Sequence, residues 1–322
     1  MTRRDLVWKA IRHESTDTVP FCIHFTKEAA EKLQAHFGTQ DIDERIGNHI
    51  VGVSAPWWGW RDPPDDMRLS PPPSRLPRVC GAGSFEACAE SAKRLRETTD
   101  RFILAYFYAS LFEKAWFARG MENLLADMAL HPDFCEALFE KIVQTDLVML
   151  EMVLAVPEID GVLLGCDWGS QVTLLMSPAH WRRYIGPRHA RMFRLIREHG
   201  KAAFLHSCGM IEAVLPDVVE MGVQVLNPLQ PECMDVRGIK ERYGPHLAFW
   251  GGVSTQRTLP RGTHDDVRRE IGEAIELLSR DGGYILAPAQ SVQEDVPLDN
   301  ILAFIQTARE RAGMTPCPSG RA

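Results

Sequence analysis

The 322-residue chain has no apolar run approaching the roughly 18 residues that a membrane-spanning helix needs. Its first residues, MTRRDLVWKAIRHE, alternate charge with apolar side chains at helical spacing and lack the continuous apolar core of a secretory signal. Both absences lead to the expectation of a cytoplasmic protein with no membrane partner. No short Lys/Arg-rich tract occurs, and the formal net charge is -7. Such a chain has no general attraction for phosphate backbones, so nucleic acid is not an expected partner. None of the eight cysteines (Cys22, Cys80, Cys88, Cys135, Cys166, Cys208, Cys233, Cys317) forms a CxxC pair. In a reducing compartment most are expected to be small buried thiols. No GxxxxGK[ST] phosphate loop is present. The nearest approach to a dinucleotide fingerprint, GAGSFE at 81–86, lacks the third glycine and follows no clear strand.

What the sequence has instead is an alternation. Short β-rich runs ending in Gly, Asp, Asn or Pro are followed by helical patterns. Strands are expected at 160–169 (DGVLLGCDWG), 201–209, 223–231 (VQVLNPLQP), 247–253 (LAFWGGV) and 283–289 (GYILAPA). Helices are expected at 178–199, 210–221, 235–243, 263–280 and 298–312. Five β–α units in about 150 residues imply a parallel sheet with crossover helices. The nearly all-apolar strands suit strands buried on both faces. Polar and unusual residues at every strand end favour a closed barrel over a doubly wound sheet. The first half is less regular. Helices are expected at 2–13, 27–37, 84–98 and 132–156, with strands at 19–25 and 101–112. Residues 61–78 hold six prolines and read as an irregular loop.

In a parallel barrel the chemistry gathers at the C-terminal strand ends, where the βα loops converge. Those ends read Cys166-Asp167-Trp168, His206-Ser207-Cys208, Asn227 with Gln230, Trp250-Gly251-Gly252, and Gln290. His206 and Cys208 stand two apart, so in extended chain they point the same way and could reach one ion. An imidazole and a thiolate suit zinc, but two ligands are half a site. The competing reading is a buried small thiol beside a hydrogen-bonded histidine. Asp167 could serve as acid or base, as a histidine-orienting group, as a ligand or as a turn cap. The run Pro56-Trp57-Trp58-Gly59-Trp60 could form a lid over an apolar or aromatic ligand, or fasten the proline-rich loop.

Together these segments resemble the uroporphyrinogen decarboxylase superfamily. The resemblance begins at RRDLVWKAIRHESTDTVPF (3–21) and continues through FEKAWFARGMENLLADMALHPDF (112–134). It is densest in DGVLLGCDWGSQ (160–171), FLHSCG (204–209), LNPLQPECMD (226–235), FWGGVSTQRTLPRGT (249–263) and YILAPAQSVQEDVPLDNI (284–301). It implies an α/β fold, the (β/α)8 TIM barrel. On that basis residues 1–312 are expected to form a single barrel, with an irregular proline-rich insertion near 56–80 and a flexible tail at 313–322. The superfamily includes the decarboxylase and the corrinoid-dependent methyltransferases of the methylcobamide:coenzyme M type. The latter bind zinc through HxC and a distant cysteine. His206 and Cys208 match HxC, while Gln290 stands where the distant cysteine belongs. A further ligand is therefore sought among Asp167, Cys166, Glu232 and Cys233. The decarboxylase carries an arginine-rich segment after its first strand, and this chain has CIHFTKEAA (22–30) there.

The resemblance thus implies a metal-dependent methyltransferase acting between a corrinoid and a small molecule. Zinc would sit on His206 and Cys208, with Asp167 and His206 as catalytic groups. Trp57, Trp58, Trp168, Asn227, Gln230, Trp250 and Gln290 are the expected substrate contacts. Methylcobalamin, or a corrinoid on a small separate protein, is the expected methyl carrier, and homodimers are expected because barrels of this family often pair. The alternatives are a metal-free decarboxylase working through Asp167 and His206, and a non-catalytic corrinoid- or tetrapyrrole-binding homologue.

Overall fold

A computed structural model describes residues 1–61, 67–68 and 70–317. Parts of the proline-rich insertion (62–66 and 69) and of the expected tail (318–322) lie outside the described residues. In chain order the strands are β1 (Ile50–Ser54), β2 (Trp57–Trp60), β3 (Val79–Ala82), β4 (Phe102–Phe107), β5 (Gly161–Gly165), β6 (Ala202–His206), β7 (Val225–Leu229), β8 (Ala248–Val253) and β9 (Tyr284–Pro288). The described residues group into two compact units interleaved along the chain. One holds Met1–Val51, Asp100–Phe102 and Val225–Ala322, the other Gly52–Thr99 and Ile103–Gln224.

In the second unit the later residues of β1 (from Gly52) and β4 (from Ile103) lie side by side with β5 and β6, in that order. The pairs β4–β5 and β5–β6 are parallel. Every residue of β5 is buried, and so are the first four of β6. Glycine and aliphatic side chains suit such strands because helices cover them and no polar face is needed. The helices Phe85–Thr98, Leu111–Arg119, Met121–Leu130, Pro132–Leu154 and Gly186–Glu198 belong to this unit. A π-helical turn, Trp181–Ile185, interrupts the helix expected at 178–199. The tryptophan-rich β2 pairs antiparallel with β3, so the two ends of the proline-rich segment close as a ribbon.

In the other unit β7, β8 and β9 run parallel. The segment around Phe21 and Phe25 follows β9 by isolated parallel bridges to Leu286 and Val292, where a full strand was expected. Helices Val236–Tyr243, His264–Leu278 and Leu298–Arg311 follow their strands, as the alternation predicts. Thr263 starts the second of these with a capping box: its hydroxyl accepts from the Asp266 N–H, and Asp266 reaches back to the Thr263 N–H.

Three expectations need correction. The run 101–112 is not one strand. β4 stops at Phe107, and Ala109 (φ 53) and Leu111 (φ 41) have positive φ where the chain turns into the helix Leu111–Arg119. Apolar character carries across this turn, so periodicity hid it. The helix expected at 210–221 is a 3-10 turn (Glu212–Val214) followed by the short helix Leu215–Glu220, in which Pro216 supplies the first-turn proline. β1 had no strand assigned to it, because glycine and serine dilute its apolar pattern.

Candidate metal centre

The centre is built where β5 and β6 end together. Gly165 is in register with His206, so the two chains leave the sheet level with each other. Backbone groups then join the exit loops. The Cys166 N–H donates to the His206 carbonyl at 3.0 Å, and the Met210 N–H donates to the Ser170 carbonyl at 2.7 Å. The Trp168 N–H donates to the buried Ser207 hydroxyl at 3.0 Å. Two glycines permit this approach. A Cβ at Gly169 would come within 2.7 Å of the Cys208 carbonyl oxygen and the Met210 nitrogen. Gly209 has φ +80, and a Cβ there would strike the Gly169 backbone.

This junction sets three donor groups against one another. Asp167 Oδ1 accepts the Cys208 N–H at 2.8 Å. His206 Nε2 lies 3.5 Å from Cys208 Sγ and 3.8 Å from Asp167 Oδ1. One ligand atom from each residue falls within a 4.8 Å group, and all three residues are half-buried. Tetrahedral zinc with bonds of ~2.0–2.3 Å separates neighbouring ligands by about 3.3–3.8 Å. The separations of His206 Nε2 from the other two donors fit that geometry, and the N, S and O donor set suits zinc.

The other strand-end candidates have partners of their own. Cys166 is fully buried, burial pushes its thiol far above the ordinary range, and Sγ donates to the Ser110 carbonyl at 3.1 Å. Trp168 is fully buried against Trp181 and His189, with ring centroids 5.1 and 5.3 Å away. Asn227, Gln230, Trp250 and Gln290 belong to the other unit. There Asn227 Nδ2 donates to the Trp250 carbonyl at 3.1 Å, and Trp250 Nε1 donates to the Cys22 carbonyl at 3.4 Å. Gln230 is buried, and the exposed Gln290 accepts the Ser291 N–H through its own Oε1 at 2.9 Å. Glu232, in the same unit, accepts from the Ser254 hydroxyl at 2.7 Å, and the Cys233 thiol lies 3.8 Å from the Gln230 carbonyl.

Sequence reasoning missed four residues beside the centre. Tyr108 places its ring edge-on to His206, with centroids 5.9 Å apart. Glu113 faces the Asp167 backbone N–H, and burial together with the Asp167 carboxylate raises its carboxyl to about 7. Lys114 is almost wholly buried, and burial lowers its ammonium to about 8. Asp146 is fully buried, accepts the Trp58 indole N–H at 2.6 Å, and is raised by burial to about 6. The available signal was the adjacent pair Glu113-Lys114 in the otherwise apolar LFEKAWFAR, placed directly after a barrel strand.

Lys114 Nζ donates to the Trp58 carbonyl at 2.9 Å and sits 3.8 Å from the Trp57 ring centroid and 4.6 Å from that of Trp58. Indole faces attract cations, which offsets part of the desolvation. Trp58 is buried and Trp57 half exposed, so of the two tryptophans expected from this run as substrate contacts the second fastens the ribbon and the first lies over the lysine.

The chain was compared with known proteins. Over 137 residues it is 28% identical to the methylcobamide:CoM methyltransferase MtaA of Methanosarcina barkeri, and 26% identical to the same-named protein of the strain Fusaro. The matched stretch is 42% of this chain and 38% of each relative's length. A solved methyltransferase from Methanosarcina mazei superposes with a TM-score of 0.72 at 19% identity, covering 96% of this chain and 99% of that one. That likeness shows the fold, an α/β barrel of the type the sequence implied. The family model described as uroporphyrinogen decarboxylase (URO-D) matches residues 61–311, and the chain belongs to that family.

Proposed function

We propose that this protein is a metal-dependent methyltransferase that moves a methyl group between a corrinoid and a small molecule. The observation that carries the reading is the convergence of Asp167, His206 and Cys208 at two adjacent strand ends, at separations that suit one zinc ion. The methyltransferase names of its relatives support it as well. His206 and Cys208 would hold the metal, and Asp167 supplies the third donor in place of the distant cysteine that the resemblance implies. When bound, zinc acidifies a coordinated thiol or hydroxyl and so makes a nucleophile available at neutral pH.

The chain's own residues prepare that position. The Cys208 N–H fixes Asp167 Oδ1, and the Tyr108 ring edge limits rotation of the His206 imidazole. The raised Glu113 carboxyl, held near 7, is suited to exchanging a proton with a group at the centre.

Purified protein is expected to hold about one zinc per chain, and His206→Ala or Cys208→Ala to weaken retention by at least roughly tenfold. Methylcobalamin mixed with a panel of small thiols and the metal-loaded protein should convert to free cobalamin, followed by its visible spectrum. Full turnover by metal-stripped protein would sink the proposal. Carbon dioxide release unaffected by chelators would favour the decarboxylase alternative.

A further inference from the structure

Beside the metal centre, within the same unit, lies a cavity of about 200 Å³. Ser54, Trp57, Tyr106, Tyr108, Lys114 and Asp146 are among the residues lining it. Its walls are mainly aromatic. The Tyr106 and Tyr108 rings stack with centroids 5.4 Å apart and planes 8° from parallel. Glycines hold both rings down: a Cβ at Gly52 would collide with the Tyr106 ring, and one at Gly165 with the Tyr108 ring. Tyr108 also touches His206, so one side chain borders both the cavity and the metal ligands.

Lys114 is the unusual wall residue. An ammonium has three donors, yet among the described residues the Trp58 carbonyl is the one hydrogen-bond acceptor it reaches. Asp146 lines the same cavity but is occupied by the Trp58 indole N–H and, at 3.4 Å, the Leu111 N–H. No ion pair within 4.0 Å joins Lys114 to a carboxylate among the described residues. A nearly buried cation with spare donors is costly unless an anion completes it. The lowered ammonium has the same origin, since burial outweighs the help from Asp146 and Glu113.

We propose that this cavity is the small-molecule subsite of the metal centre and that it takes a single-ring aromatic anion. The ring lies among Trp57, Tyr106 and Tyr108, and a carboxylate or phenolate oxygen meets Lys114 Nζ. The volume suits one ring rather than a tetrapyrrole, whose many carboxylates would need several cations. Calling it a substrate subsite rests on the methyltransferase reading; the binding itself does not.

The test is calorimetric titration of the full-length protein with benzoate near neutral pH, using acetate and benzyl alcohol as controls. Benzoate should bind saturably, at least roughly tenfold tighter than either control. Lys114→Met should remove the preference for the anion, and the half-exposed Trp57→Leu should weaken aromatic binding even if the buried lysine variant fails to fold. Stripping metal with a chelator should leave benzoate affinity unchanged. Equal affinity for acetate and benzoate, or binding lost on chelation because the anion sat on the metal, overturns the proposal. So does absence of binding in the unsubstituted protein. Failure of methyl transfer with benzoate binding intact would count against the methyltransferase reading alone.

Discussion

Asp146 shows how one buried carboxylate can organise a cavity wall. It sits in the long helix Pro132–Leu154, accepts the Trp58 indole N–H and the Leu111 N–H, and provides the field that keeps Lys114 charged. Removing it leaves two buried donors without an acceptor and takes from Lys114 the larger of the two carboxylate contributions that favour its charge. Asp146→Ala is expected to cost about 1–3 kcal/mol for each buried donor left without its acceptor. Asp146→Asn keeps an acceptor for Trp58 and should cost less. Urea unfolding of both variants decides this, and equal costs would mean that the carboxylate charge contributes little. Sequence could not nominate this residue, since an Asp in the amphipathic stretch 132–156 reads as a solvated position. What made the HxC pair legible was chemistry packed into three positions, whereas Asp146, Lys114 and Trp58 are far apart in the chain and meet through packing.

At the scale of elements, the regular β–α alternation after residue 160 was readable because each strand is a short apolar run closed by a turn residue. β5 to β9 fall inside the expected segments. The turn after β4 was not readable, because Tyr108, Ala109 and Leu111 continue the apolar run through backbone that sequence patterns do not mark. That misreading also concealed Glu113 and Lys114. The loops after β5 and β6 carry the metal-site geometry through contacts that only glycine allows. Gly209→Ala puts a Cβ into the Gly169 backbone at a left-handed φ, so the loops must separate or strain. The expected results are a loss of about 1–3 kcal/mol and weaker zinc retention, because the Cys208 N–H to Asp167 bond depends on that approach. Metal affinity and thermal unfolding measured on one sample separate the two effects. Zinc affinity equal to that of the unsubstituted protein would mean that the loop junction does not position the ligands.

Over the whole molecule, buried titratable groups of opposite tendency shape the response to acid. His189, in the unit that holds the candidate metal centre, is fully buried among Trp168, Phe193 and the Ser110 hydroxyl, and burial alone lowers it to about 3. His49, in the other unit, is lowered to about 4, chiefly by burial. A histidine depressed in the fold is neutral there but takes a proton when unfolded. Its stabilising share is complete above the unfolded value near 6.5 and is lost as pH falls toward the folded value, at about 1.4 kcal/mol per pH unit. Glu113 and Asp146 act in the opposite sense. Raised to about 7 and about 6, they bind protons in the fold before the unfolded chain does, so they favour the fold as pH drops toward their ordinary values. Between about pH 4.5 and 6 the two histidines and two carboxyls nearly cancel, and total stability is a poor probe of any one of them. A difference between variants isolates the term. His189→Gln keeps a polar partner for Ser110 and removes the titration, so its stability relative to the unsubstituted protein should rise by about 1.4 kcal/mol for each pH unit below 6.5. Chemical unfolding at pH 7.5, 6 and 5 reads that slope directly. A difference independent of pH would show that His189 is not held neutral in the fold, and the tight packing around Trp168 would then have to admit a charged imidazole.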